Sequence, residues 1–256
     1  MELVWDIDFL YRAFLIFLRL GAFLLFIPLF EGRGVPALTR VAFALLMTNL
    51  VAMVVPQHPV LPIHAFGLVV AGISEVMVGL FMGLTLRIAF QAIAIGGELI
   101  ALKSGFMRDM SFDPFTQTQS SAVERLISQF AVVIFLTTGM HLVCFSSFVK
   151  SFEVVSLGHW MPTQGTILAL IWQTSQMFTL AVQIAAPFIA MNFIINMAFA
   201  VLGKAAPQIN VFVVSFAITI VCGLFLLVST LDVTTQHIIG ILGDAAKNLL
   251  MGLQAK

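Results

Sequence analysis

Two apolar runs, Ala65–Leu102 and Thr166–Leu202, constrain this chain more than any other feature. A bilayer core about 30 Å thick is crossed by about 20 helical residues, and each run approaches twice that length. Such runs either break and re-enter, or project well beyond the lipid and pack on other protein. Gly96-Gly97 and Pro187 supply break points for the first alternative. The isolated charges Arg19, Glu75, Arg87 and Glu98 favour the second. Each costs on the order of a few kcal/mol against lipid, and protein neighbours or an aqueous lumen remove that cost. Composition puts the chain in the same class. It is 61% hydrophobic and 9% charged with a mean hydropathy of +1.09, whereas a soluble domain is about half apolar and a quarter charged.

The remaining apolar segments divide the chain in order. Phe9–Phe30 carries Arg12 and Arg19, and the polar turn Glu31–Pro36 leads through Arg40 into Ala37–Val55. Prolines punctuate Pro56–Pro62. Leu126–Val149 reads as a clean span, Lys150–Thr163 as a polar connector, and Lys204–Asn210 as a tight loop. Val211–Leu231 is the last span, and Asp232–Lys256 is a mixed, amphipathic tail. The pattern predicts an all-α, polytopic integral membrane protein with long, partly broken helices and helical hairpins. Glu2, Asp6 and Asp8 stand where a signal peptide needs a basic segment, so the first apolar run is expected to be retained. Placing Arg33, Arg40, Lys103, Arg108, Arg125 and Lys204 inside puts both termini outside. Gly79 and Gly83 lie four apart, the spacing of a small-residue face on which helices approach closely.

Between the two apolar halves lies a polar island, Gly105–Gln119. Arg108, Asp109 and Asp113 fall close together, Gly105 and Pro114 break any helix, and Phe106, Met107, Met110, Phe112 and Phe115 interleave with the charges. Irregular backbone in a membrane protein belongs at a surface, inside protein, or along a cavity. Two readings stand open: a solvent loop with incidental apolar residues, or a loop folded into a channel, where its apolar side chains find something to pack against.

Catalytic patterns are scarce. The chain has no HExxH, no P-loop and no glycine-flanked serine. His141 and Cys144 are three apart and read as core residues rather than metal ligands. Cys144 and Cys222 sit in apolar runs as buried thiols. A net charge of zero with no basic stripe argues against nucleic acid. These features predict a protein that is not an enzyme and uses no cofactor or metal. The 13 methionines and 25 phenylalanines could contribute to a deformable apolar constriction. A secondary transporter would also have broken helices and charges at mid-membrane, but the two halves show no convincing repeat.

The residues from Lys204 to Phe212, KAAPQINVF, carry a PQxNVF signature that resembles the flagellar biosynthesis protein FliR family, which includes the equivalent subunits of virulence type III secretion systems. Arg19-Leu20-Gly21 leading to Pro28, then Val35-Pro36 and Arg40, is similar to the family's opening hairpin. Glu75, Gly79, Gly83, Gly96-Gly97, Asp113-Pro114, Gln117, Gly139, His141, Ser151-Phe152 and Ala186-Pro187 follow the family pattern in order, covering about Phe9 to Leu231. Two positions depart from it: Lys204 stands alone where arginines are common, and Ala217 stands where the pattern has proline.

The resemblance implies a subunit of the flagellar type III protein export gate, part of an inner-membrane pore at the flagellar basal body through which unfolded flagellar proteins are secreted. It implies a hetero-oligomeric ring with FliP-like and FliQ-like membrane subunits. The fold is then a fusion, with residues 1–180 FliP-like, residues 181–231 a FliQ-like hairpin, and residues 232–256 a tail. By the same resemblance Gly105, Phe106, Met107, Arg108, Asp109, Met110, Phe112, Asp113 and Pro114 belong to a pore-closing loop. Lys204, Pro207, Gln208 and Asn210 form a hairpin turn that meets the membrane protein switching export specificity. Arg19, Glu75, Arg87 and Glu98 are expected at subunit contacts within the membrane.

Overall fold

A computed structural model describes residues 7–28, 36–55, 64–106, 111–112, 119–206, 208 and 210–254. Among them are eight α-helices: α1 (Ile7–Leu24), α2 (Ala37–Val54), α3 (Ala65–Lys103), α4 (Ala122–Thr137), α5 (Met140–Val154), α6 (Gln164–Ala205), α7 (Val211–Ser229) and α8 (Leu231–Gln254). The one extended pairing among the described residues is an antiparallel ladder of β1 (Ser111–Phe112) with β2 (Gln119–Ser120). The fold class is therefore all-α, as the apolar periodicity predicts. Four described helices are long and apolar enough to cross a membrane, or five spans if α4 and α5 count as one.

Local chemistry sets several boundaries. The Ser121 side chain accepts a hydrogen bond from the Glu124 amide at 3.0 Å and caps α4. The sequence there, Ser121-Ala122-Val123-Glu124, has the capping-box pattern. Leu126–Val149, expected as one clean span, is instead interrupted between α4 and α5. Gly139 takes φ +72°, a left-handed conformation that a helix interior cannot hold. The expected break points behave in the opposite way. α3 runs unbroken through Gly96-Gly97 and α6 through Pro187. α7 is also continuous, with Ala217 where the family pattern has proline. Of the two ways to accommodate the long runs, the chain takes continuous helices.

Two compact units divide the chain, one of residues 1–88, 139–174 and 242–256, the other of residues 89–138 and 175–241. In the first, α1 packs on α2. It buries Tyr11, Leu15, Ile16, Leu20 and Phe23, a stripe at helical spacing. Phe23 stacks on Phe148 at 5.5 Å between ring centroids, and Phe148 meets Phe152 edge-on at 5.4 Å. Gly79 and Gly83 lie directly against the α1 backbone. A Cβ at Gly79 would collide with the Arg19 carbonyl oxygen and stand 2.8 Å from Ala22 Cβ. Residues 242–254 complete this unit by burying Leu242, Ala245, Ala246, Leu249 and Leu253, with Gly252 set against the Phe81 ring.

In the second unit, Gly96 and Gly97 serve close packing rather than bending. A Cβ at Gly96 would lie 3.2 Å from Ile184 Cβ on α6, and one at Gly97 would lie 3.1 Å from Glu124 Cα on α4. Adjacent glycines thus let two helices approach α3 on two sides. Phe90 and Phe135 fill the space beyond, edge to face at 5.4 Å.

The close approach at Gly79 generates a test with an internal control. Gly→Ala favours an exposed helix by about 1 kcal/mol, yet overpacking costs about 1–3 kcal/mol. Gly79→Ala is expected to lower the melting temperature of the purified protein. Gly21→Ala, where an added Cβ meets nothing within 4 Å, is expected to leave it unchanged or raise it. Equal melting temperatures for the two variants would refute the packing account.

Candidate functional site

Arg19 and Glu75 meet inside the first unit, both side chains fully buried. Arg19 Nε donates to Glu75 Oε2 at 2.5 Å and Nη2 to Oε1 at 3.1 Å, the two-pronged geometry that suits a guanidinium and a carboxylate. Arg19 Nη1 also donates to Ser151 Oγ at 3.0 Å, and Nη2 to the Val155 carbonyl at 3.3 Å. The guanidinium lies 4.2 Å from the centre of the Phe152 ring. Glu75 Oε1 accepts a further bond from the Gly158 amide at 2.7 Å. Next to it, Ser74 Oγ accepts from the Trp160 amide at 2.8 Å. Gly158 has φ +78° and backs onto Ala71, so the turn after α5 lies flat on α3. This clasp joins α1, α3, α5 and the turn into one body.

The other two charges expected at subunit contacts, Arg87 and Glu98, are placed differently. Arg87 rests over the Phe26 ring at 5.5 Å, and Glu98 is exposed on α3.

The polar island begins where α3 ends. Ser104 is fully buried, and Gly105 takes φ +79°, the left-handed conformation that commonly ends a helix. Asn192 Nδ2 on α6 donates to the Lys103 carbonyl at 2.8 Å, and Asn196 Nδ2 donates to Asn192 Oδ1 at 2.8 Å. Phe106 is half-buried, and Phe112 is described only by its backbone, in β1 opposite Gln119. Met107, Arg108, Asp109, Met110, Asp113 and Pro114 lie outside the described residues.

Around the junction of α6 and α7, Lys204, Gln208 and Asn210 are exposed, and Pro207 lies outside the described residues. Asn210 Oδ1 accepts from the Val213 amide at 3.4 Å and caps α7. Ser151, Ser104, Asn192 and Gly223 carry no charge to mark them in the sequence. Their signal is weaker: an amide or hydroxyl within an apolar run, or a glycine whose purpose appears only when a second helix lies against it.

No group of three or more His, Cys, Asp or Glu side chains able to hold a metal occurs among the described residues. Buried charge serves packing, and apolar helices long enough to cross a bilayer dominate the chain; the class is a polytopic membrane protein. The chain belongs to the family described as Bacterial export proteins, family 1, which matches residues 10–245. It is 30% identical over 224 residues to the Flagellar biosynthetic protein FliR of Caulobacter vibrioides, covering 87% of this chain and 89% of that protein. The protein of the same name from Bacillus subtilis is 29% identical, covering 94% and 95% of the two chains. That of Pectobacterium carotovorum is also 29% identical, over 255 residues covering 98% and 97%.

The clasp yields an asymmetric forecast. Removing one member of a buried ion pair strands the other, at about 3–5 kcal/mol, whereas replacing both with apolar groups is often close to neutral. Glu75→Ala is expected to reduce the folded yield and melting temperature sharply, and Arg19→Met with Glu75→Met much less. A double variant as damaged as Glu75→Ala would show that hydrogen bonds to Ser151, Val155 and Gly158, rather than charge pairing, carry the clasp.

Proposed function

We propose that this chain is a subunit of the flagellar type III protein export gate, forming part of the pore in the bacterial inner membrane through which unfolded flagellar proteins pass. The observation that carries this reading is likeness along nearly the whole chain to Flagellar biosynthetic protein FliR from several bacteria. The protein acts as a conduit and not as a catalyst. It is assembled in a ring with FliP-like and FliQ-like subunits. Residues 1–180 supply a FliP-like part and residues 181–231 a FliQ-like hairpin. The exposed apolar side chains of α6 and α7, among them Phe193, Val201, Val221 and Phe225, support burial against such partners or lipid.

Within the pore, Gly105–Pro114 closes the path. Phe106, Met107, Met110 and Phe112 form an apolar seal, which excludes ions because a narrow unwettable neck offers nothing in place of a hydration shell. Flexible methionines let the seal part around a polypeptide. Arg108 and Asp109 pin the closed loop to neighbouring subunits. The exposed turn around Lys204, Pro207, Gln208 and Asn210 meets the membrane protein that switches export specificity.

Deleting the loop, or replacing Phe106, Met107, Met110 and Phe112 with glycine, is expected to leave assembly intact and to raise the conductance of the purified complex in planar bilayers. Equal conductance in a verified assembly eliminates the seal. For the turn, Gln208→Ala with Asn210→Ser keeps an N-cap acceptor on α7 while removing both amides. Co-purification of the switch protein and motility are expected to fall, and normal values of both would refute the contact.

A further inference from the structure

The residues at which α3 gives way to the polar island are held from two sides by the α6–α7 hairpin, and that arrangement is more specific than helix packing requires. On one side, α7 presents Phe216, Ile220 and Gly223, spaced i, i+4, i+7 and therefore on one face. The Phe216 ring and Ile220 lie 3.3 Å and 3.5 Å from where a Cβ would stand on Gly105. A Cβ on Gly223 would stand 2.6 Å from Ser104 Cβ and 2.8 Å from Ser104 Oγ. Ser104 is fully buried, and its hydroxyl has no hydrogen-bond partner among the described groups. On the other side, the Asn192 amide takes the last carbonyl of α3. That carbonyl has no partner within α3, since a helix leaves its final carbonyls without intrahelical bonds. Asn192 is in turn held by Asn196.

We infer that Asn192 and Gly223 are positioning residues for the pore-closing loop: the hairpin forms a seat for Lys103–Gly105 that sets the direction in which the island leaves α3. This rests on the reading of Gly105–Pro114 as the seal. The seat acts through shape and one amide bond. Gly223 leaves the notch into which Ser104 fits, the Phe216–Ile220 face supports Gly105 in its left-handed turn, and Asn192 stops α3 at Lys103. A side chain at Gly223 drives Ser104 out of the notch, and an apolar side chain at residue 192 releases the carbonyl.

The test compares Gly223→Ala, Asn192→Leu, and the compensating pair Gly223→Ala with Ser104→Gly, in the assembled export complex. Two readouts are taken together: hydrogen exchange of the amides of residues 101–106, and conductance in planar bilayers. Both single variants are expected to exchange about tenfold faster over 101–106, with α6 near Ile184 unchanged, because local opening reports local stability. Both are expected to conduct more than the wild type. The compensating pair restores the space and is expected to return both readouts toward wild type, a rescue that general damage to packing would not give. Unchanged exchange overturns the seat, whatever the conductance. Faster exchange with wild-type conductance overturns it as a positioning device when the loop deletion itself leaks. If the loop deletion does not leak, the seal reading falls, and exchange with its rescue alone decides whether the seat exists. Should Gly223→Ala fail to assemble, Asn192→Leu, which keeps the number of side-chain heavy atoms, decides the matter.

Discussion

The ion pair between Arg19 and Glu75 is the interaction on which the first unit depends. Two charges taken out of water cost several kcal/mol each, and mutual attraction offsets that only when the remaining donors and acceptors are also satisfied. Here Ser151, the Val155 carbonyl and the Gly158 amide satisfy them, and the Phe152 ring faces the guanidinium. Those partners come from α5 and the turn after it, far from both charges in sequence. The pair therefore cannot form its full set of bonds until α1, α3 and α5 are together, which makes it a check on assembly of the unit as much as a source of stability.

Close backbone approach is the second constraint, and it explains why the glycines of α3 neither bend nor break it. In lipid there is little hydrophobic drive between helices, so association rests on surfaces that fit closely. Gly79 and Gly83 let α1 lie on α3, while Gly96 and Gly97 admit α6 and α4. A glycine that would weaken a soluble helix by about 1 kcal/mol is here a contact surface.

Much of the fold was legible because apolar runs are long and their ends abrupt. The expected bounds Ala37–Val55, Ala65–Leu102 and Thr166–Leu202 fall within a few residues of α2, α3 and α6. The interruption at Gly139 was hidden because Thr138 and Gly139 sit inside an otherwise apolar stretch, where hydropathy averages over one unfavourable conformation. Pro187 misled in the other direction: proline weakens a helix, but in a long one the neighbouring turns hold the chain in place. The tail read as amphipathic, yet nothing in residues 242–254 announced that Gly252 would meet the Phe81 ring, since a partner 171 residues away leaves no local pattern. For the candidate site, charge drew attention to Arg19 and Glu75 without revealing that each was the other's partner. The neutral groups around the island's base carried no comparable signal.

That contrast between charged and neutral contacts has a physical logic. Breaking a buried ion pair costs about 3–5 kcal/mol, while a neutral hydrogen bond contributes about 1 kcal/mol net. A part of the chain that must keep its shape is well served by the first kind, and a part that must yield and return is served by the second. The clasp belongs to the first category, with every strong contact closed within its own unit. The seat of the island belongs to the second, resting on one side-chain amide, a glycine notch and the edge of a phenylalanine ring. If the island parts to pass a polypeptide, its base can shift at modest cost while the clasp stays shut. A charged latch at Lys103–Gly105 would have raised the cost of the same movement to about 3–5 kcal/mol.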